Sequence, residues 1–196
     1  MENKKILYNI HKYILAIPFL IYYRPKFVNK KYIPKEGPII LCGNHIHLYD
    51  QCLPILSTRR MLHYMAKKEY FDGKFAWFFK NSGCISVDRN NKEKAHLASM
   101  EAKELLNKGY AVGIFPEGTR NKTNEILLPF KMGTVKMAKD TNATIVPFVI
   151  TGKYKFFKNN LKITFLEPFK VEGDLEEANN KLRNMMLDKI KDSNNN

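Results

Sequence analysis

A chain of 196 residues, 44% of them hydrophobic, is long enough to bury one good core and too apolar to be a disordered tail. Its three cysteines (Cys42, Cys52 and Cys84) are odd in number and form no C-x-x-C pair, which argues against a disulfide framework or a zinc ribbon and reads as small buried hydrophobes in a reducing compartment. Thirty-three basic residues against 19 acidic ones leave a net charge of +14, so the partner is anionic: nucleic acid, an acidic lipid surface or a phosphorylated substrate. Only six of the basic residues are arginine. These are the more informative cations, because a guanidinium forks onto phosphate oxygens while an ammonium acts as a point charge.

The first element is YILAIPFLIYY, residues 13–23, eleven uncharged residues with Pro18 among them. A helix needs about 20 apolar residues to cross a bilayer, and no small-residue cleavage site follows this run. Lys4, Lys5 and Lys12 precede it, and Arg24, Lys26, Lys30 and Lys31 follow. Cations framing an apolar, aromatic segment suit a helix lying in the interface of an anionic bilayer; a helix packed on the domain is the alternative. Residues 1–35 are accordingly read as a membrane-associating segment and 36–196 as the main domain.

From residue 36 short apolar runs alternate with helical stretches. PIILC (38–42), LHYMA (62–66), CISV (84–87), YAVGIF (110–115), TIVPFVI (144–150) and LKITFL (161–166) read as strands, several without polar alternation, as in strands covered on both faces. The clearest helix is 91–108. Asn90 is placed to cap it, with Glu93 three residues on; Ala98, Ala102, Leu105 and Leu106 share a face, and Gly109 ends it. Further helices are predicted over 133–139 and 175–191, with only the terminal SNNN disordered. This order predicts a single α/β domain: a mixed, mostly parallel sheet flanked by helices, preceded by the N-terminal helical segment.

In such folds the chemistry gathers at the carboxyl ends of strands. GNHIHLYD follows PIILC, VDRN follows CIS, and PEGTR follows YAVGIF. The first cluster has three readings. As a metal site, His45, His47 and Asp50 lack partners, because no histidine follows His96 and zinc needs three or four convergent ligands. As an acid/base pair, spacing alone mildly prefers His47 with Asp50, i,i+3 on a helix. His45 meets Asp50 only if the chain turns between them, which the preceding Gly43-Asn44 permits. A polar turn with no chemistry is the third.

The remaining clusters bear on this choice. Asn44-His45-Ile46-His47-Leu48-Tyr49-Asp50 matches N-H-x-S-x-x-D except for His47 in the serine position. Residues 83–89 match G-x-I-x-V-D-R, residues 115–120 match F-P-E-G-T-R without change, and 145–149 match I-V-P-F-V. Between the first two lies Ala66-Lys67-Lys68-Glu69, an A-K-x-E segment. In this order and spacing the chain resembles the 1-acyl-sn-glycerol-3-phosphate acyltransferase family over roughly residues 36 to 152.

The resemblance implies His45 as general base and Asp50 as the group that orients it. That is the base-plus-carboxylate half of a serine-hydrolase site, with the acceptor's own hydroxyl attacking an acyl thioester. It implies Arg89, Arg120 and Lys67 on the acceptor's phosphate, and Asn44, Glu117, Gly118 and Thr119 in support. No metal or cofactor is implied; acyl-CoA or acyl-ACP enters as co-substrate. The partners implied are a lysophospholipid, most simply 1-acylglycerol-3-phosphate, the acyl thioester with its acyl carrier protein or coenzyme A, and an anionic membrane surface, with peripheral attachment at the cytoplasmic face of the cell membrane. Another lysolipid acceptor is the near alternative and a metal-dependent hydrolase the remote one. A nucleic-acid partner would account for the charge but not for the motifs, and there is no zinc finger or RNP pattern.

Overall fold

Ile39, Ile40 and Leu41 are fully buried because their strand has a helical layer on each face. The computed structural model describes residues 2–74, 76–88 and 90–195. In it α1 (Glu2–Tyr23) leads to β1 (Lys26–Val28), β2 (Ile39–Gly43), α2 (Cys52–Ser57), β3 (Leu62–Lys67), α3 (Glu69–Asp72), α4 (Ala76–Asn81) and β4 (Ile85–Val87). Then follow α5 (Lys92–Asn107), β5 (Ala111–Ile114), α6 (Gly133–Thr141), β6 (Thr144–Thr151), β7 (Lys162–Phe165) and α7 (Leu175–Asn195). The seven strands form one sheet in the order β1-β7-β6-β2-β5-β3-β4. Five run parallel, and the single antiparallel pairing, β6 with β7, reverses β7 and β1.

Alternate residues of the central strands feed two cores. Ile40, Cys42, Val112, Ile145 and Val149 meet α5, α6 and α7, with Ala178, Leu182, Met186 and Ile190 of α7 recurring every fourth residue along one helix stripe. Ile39, Leu41, Ala111, Val146, Phe148 and Ile150 face the other way, toward Phe19 of α1 and Leu53 of α2. The approach is tight at the end of β2, where a Cβ on Gly43 would overlap the Phe148 ring. Gly43→Ala is therefore expected to lower stability by about 1–3 kcal/mol, the usual range for overpacking, read as an earlier urea midpoint at unchanged slope.

All six expected strands are present, within two residues of their expected ends. Two expectations change. The cap of α5 is Asn91, whose Oδ1 accepts the Lys94 N–H at 3.0 Å; Asn90 is occupied in the preceding turn, its N–H donating to Asp88 Oδ1 at 3.1 Å. The terminal SNN lies inside α7, which the buried Met186 and Ile190 carry onward and where Ser193 Oγ donates back to the Lys189 carbonyl. Residues 1–35 also contribute β1 to the sheet, paired with β7.

The first helix both packs and presents. Tyr8, Ala16 and Phe19 are buried. The Tyr8 hydroxyl accepts the Leu62 N–H at 3.2 Å, Lys12 Nζ donates to the Thr58 carbonyl, and His11 Nδ1 lies 3.1 Å from Ser82 Oγ. Its opposite side leaves Tyr13, Ile14, Ile17 and Ile21 exposed. Among the described residues no helix is long and apolar enough to cross a membrane.

Candidate active site

Because β2 and β5 are neighbours, the segments leaving their carboxyl ends, 44–51 and 115–121, meet above the sheet. Asn44 pins the first of them. Buried, it accepts the Ile150 N–H at 2.7 Å and donates to the Ile150 carbonyl at 2.9 Å, extending the β2–β6 pairing through a side chain. The chain then turns around a carboxylate. Asp50 Oδ2 accepts the N–H groups of Ile46 and His47 at 2.6 and 2.7 Å and sits 2.8 Å from His45 Nδ1. Those backbone bonds close the five-residue separation that spacing alone left open.

His47 makes no helical pair with this aspartate. Its bond to Asp50 is through the backbone; its ring stacks on Tyr154, centroids 4.1 Å apart and planes 18° off parallel, and its Nδ1 accepts the Tyr49 N–H at 3.3 Å. Histidine in place of the motif's serine therefore leaves the His45–Asp50 contact untouched.

Asp50 is completely buried, and its other oxygen is also occupied: Tyr154 donates its hydroxyl to Oδ1 at 2.8 Å. Burial, and then the Asp50 charge, hold the Tyr154 phenol protonated far above its ordinary range, so it acts as a donor. With four donors converging on one carboxylate, the proton shared with His45 belongs on Nδ1, which leaves the Nε2 lone pair for chemistry. The His45 side chain is 17% exposed, and its ring lies flat on Phe115, centroids 4.1 Å apart.

Glu117 holds the two loops together. Its Oε1 accepts the His45 N–H at 2.8 Å and its Oε2 the Leu128 N–H at 3.0 Å, while the Asn121 N–H reaches the His45 carbonyl at 2.7 Å. Burial raises the Glu117 carboxyl above its usual range, against the pull of those two N–H groups. The resemblance put Glu117 in support of the substrate site; the groups it bonds are the main-chain N–H groups of His45 and Leu128.

Gly118 adopts φ 71°, a left-handed conformation that favours glycine, and the Lys131 side chain folds over it, within 2.8 Å of where a Cβ would lie. Thr119 and Arg120 are exposed next to it. Lys67 is exposed at the end of β3, one strand beyond β5. Arg89 lies outside the described residues. Among the described residues neither Arg120 nor Lys67 has an ion pair, and no three His, Cys, Asp or Glu side chains converge as a metal site would require.

A cavity of about 550 Å³ opens beside the pair, between α1 and the sheet; Tyr49 and Cys52, on either side of Asp50, line its near end, and Phe19, Leu56, Leu62 and Phe79 much of the rest. Burial pushes the Cys52 thiol up to about 12 and raises Cys42 as well. Neither is a thiolate nucleophile.

A family model described as Acyltransferase matches residues 24–151. The chain belongs to that family. It is 32% identical to the 1-acyl-sn-glycerol-3-phosphate acyltransferase of Bacillus subtilis over 149 residues, 73% of this chain and 72% of that one. To the protein of the same name from Borreliella burgdorferi it is 32% identical over 130 residues, 66% of this chain and 52% of the other, so it spans about half the length of that relative. The crystal structure of the 1-acyl-sn-glycerophosphate (LPA) acyltransferase PlsC from Thermotoga maritima has the same fold, with a TM-score of 0.73 over 86% of this chain and 71% of that one at 22% identity.

Two side chains of this acyltransferase-family site escaped sequence reasoning. Tyr154 lies beyond the matched region, 104 positions from its partner Asp50; the signal was a tyrosine just past the carboxyl end of an apolar strand. Lys131, folded over Gly118, is one lysine among many and gave none.

Proposed function

We propose that this protein transfers an acyl group from acyl-CoA or acyl-ACP to the free hydroxyl of a lysophospholipid, 1-acylglycerol-3-phosphate in the first instance, to give phosphatidic acid. The observation that carries the proposal is the His45–Asp50 contact, to which, among the described residues, no serine or cysteine is bonded. In this scheme His45 Nε2 accepts the acceptor's hydroxyl proton as its oxygen attacks the thioester carbonyl. Asp50 steadies the imidazolium, and collapse of the tetrahedral intermediate expels the thiolate, which takes the proton back. Tyr154 and the two backbone N–H groups keep Asp50 aimed. Asn44 and Glu117 hold the ends of the turn, and Gly118 and Thr119 shape the neighbouring loop. The apolar cavity is a place for an acyl chain. The relatives' names favour this acceptor.

Arg120, with Arg89, Lys67 and Lys131, supplies the cations for the acceptor's phosphate. Residues 1–35 serve as a membrane-associating segment, the exposed side of α1 resting on the cytoplasmic face of the cell membrane without crossing it, and 36–196 carry the transferase chemistry. No resident cofactor enters the scheme. Only lipid and thioester partners are invoked.

The test is the purified chain with labelled oleoyl and palmitoyl thioesters and a panel of lysolipids, products resolved by mass spectrometry. Phosphatidic acid from 1-acylglycerol-3-phosphate is expected; turnover confined to another lysolipid would reassign the acceptor. Within that assay Arg120→Ala should raise KM for the phosphorylated acceptor about tenfold or more, the scale of a lost charge-assisted hydrogen bond, with the donor's KM unchanged. Arg120→Lys should not restore it, because an ammonium cannot fork.

A further inference from the structure

Residues 152–160 join β6 to β7 and show solvent an unusual surface. Phe156 and Phe157 are 64% and 55% exposed, and Lys153, Lys155 and Lys158 stand exposed around them. The loop is tied at several points. Phe157 adopts φ 57°, a left-handed conformation that bulky residues rarely take, and donates its N–H to the Tyr22 carbonyl at 2.6 Å. Gly152, at φ 86°, closes the base against the Asn160 carbonyl where a Cβ would collide. The Tyr22 ring meets both phenylalanines at 5.6 Å, and the Arg24 guanidinium lies 5.9 Å from the Phe157 centroid. From the same loop Tyr154 reaches down to Asp50.

The exposed rings thereby continue the outer side of α1, where Ile14, Ile17 and Ile21 are 64%, 62% and 55% exposed. A contiguous apolar and aromatic surface bordered by cations marks an interaction site. Aromatic rings at headgroup depth with lysines on the phosphates are the chemistry of an anionic bilayer.

We propose that loop 152–160 is a second membrane-contact element, seating Phe156 and Phe157 among anionic lipid headgroups beside α1. Because its Tyr154 is bonded to Asp50, the loop fixes the height of the catalytic pair above the lipid. This rests on the membrane reading of residues 1–35 and extends it to a part of the chain outside that segment.

The test uses the full chain and sedimentation with phosphatidylcholine vesicles, with and without phosphatidylglycerol. Each lysine near an anionic surface is worth roughly a fivefold change in binding, so Lys153→Gln/Lys155→Gln/Lys158→Gln should weaken binding to the anionic vesicles by about a hundredfold and leave binding to neutral ones unchanged. Phe157→Ser should weaken both severalfold, since the apolar contribution does not depend on lipid charge. The lysine variant should turn over a water-soluble short-chain acceptor like the unaltered chain, which also confirms its fold. If the unaltered chain binds and both variants bind equally well, the loop proposal falls and the α1 reading stands. If the unaltered chain binds neither vesicle, both fall. A lysine variant that binds normally but loses turnover of the soluble acceptor places the loop in catalysis and overturns the proposal.

Discussion

His45→Ala is expected to lower kcat by ~10²–10⁴-fold, the range for loss of a general base, while His47→Ala keeps most of the activity. The asymmetry follows from geometry: the His45 ring faces Asp50 Oδ2 at 2.8 Å, whereas the His47 ring is turned onto Tyr154. Single-turnover assays with saturating thioester would measure it. Activity retained in His45→Ala and lost in His47→Ala would move the base to His47 and leave the buried contact as a structural one.

Asp50→Asn should be nearly as damaging to turnover while leaving the fold intact. An asparagine oxygen in the Oδ2 position still accepts the N–H groups of Ile46, His47 and His45, and its amide nitrogen can donate to the Tyr154 oxygen if that hydroxyl rotates away. Only the negative charge opposite the imidazolium is lost, and comparable orienting carboxylates contribute up to about 10⁴-fold. Asp50→Ala is the contrasting variant. It strands four donors around a side chain that is itself fully buried, each costing about 1–3 kcal/mol when unsatisfied, so it should unfold at markedly lower temperature. Comparing the melting temperature and kcat of the two variants separates charge from scaffold. An Asp50→Asn protein of near-normal kcat would show that the charge is dispensable.

Strands β2 to β7 were legible because each lies in an apolar run with buried residues, and burial of that kind is written in composition. The three-residue β1, Lys-Phe-Val, was not: it opens on an exposed lysine and none of its residues is fully buried. Nor was α2, six residues with Pro54 inside, where no helical repeat can complete itself. At the site the residue types were legible before their pairing. Spacing favoured His47 for Asp50, because spacing assumes a helix, and the helix does not begin until Cys52. What decided the pairing is the pair of backbone N–H groups bonded to Asp50, which no side-chain pattern records. Tyr154 reaches Asp50 across 104 positions through strand order alone.

The place of β2 in the sheet bears on how the chain acquires its structure in time. Ile39 is paired with Ala111 on one side and Thr144 on the other, so the most buried strand meets partners far downstream. Parallel pairing over such distances makes for slow folding, because the entropy of closing long loops is spent before the contacts form. During synthesis the strand Ile-Ile-Leu-Cys-Gly and the His45–Asp50 turn leave the ribosome long before β6 exists to cover them. In that interval the segment is an apolar, unpaired edge, the kind of intermediate that chaperones bind and that aggregates when they do not. The His45–Asp50 turn is made before the strands that flank β2 and takes shape only after them.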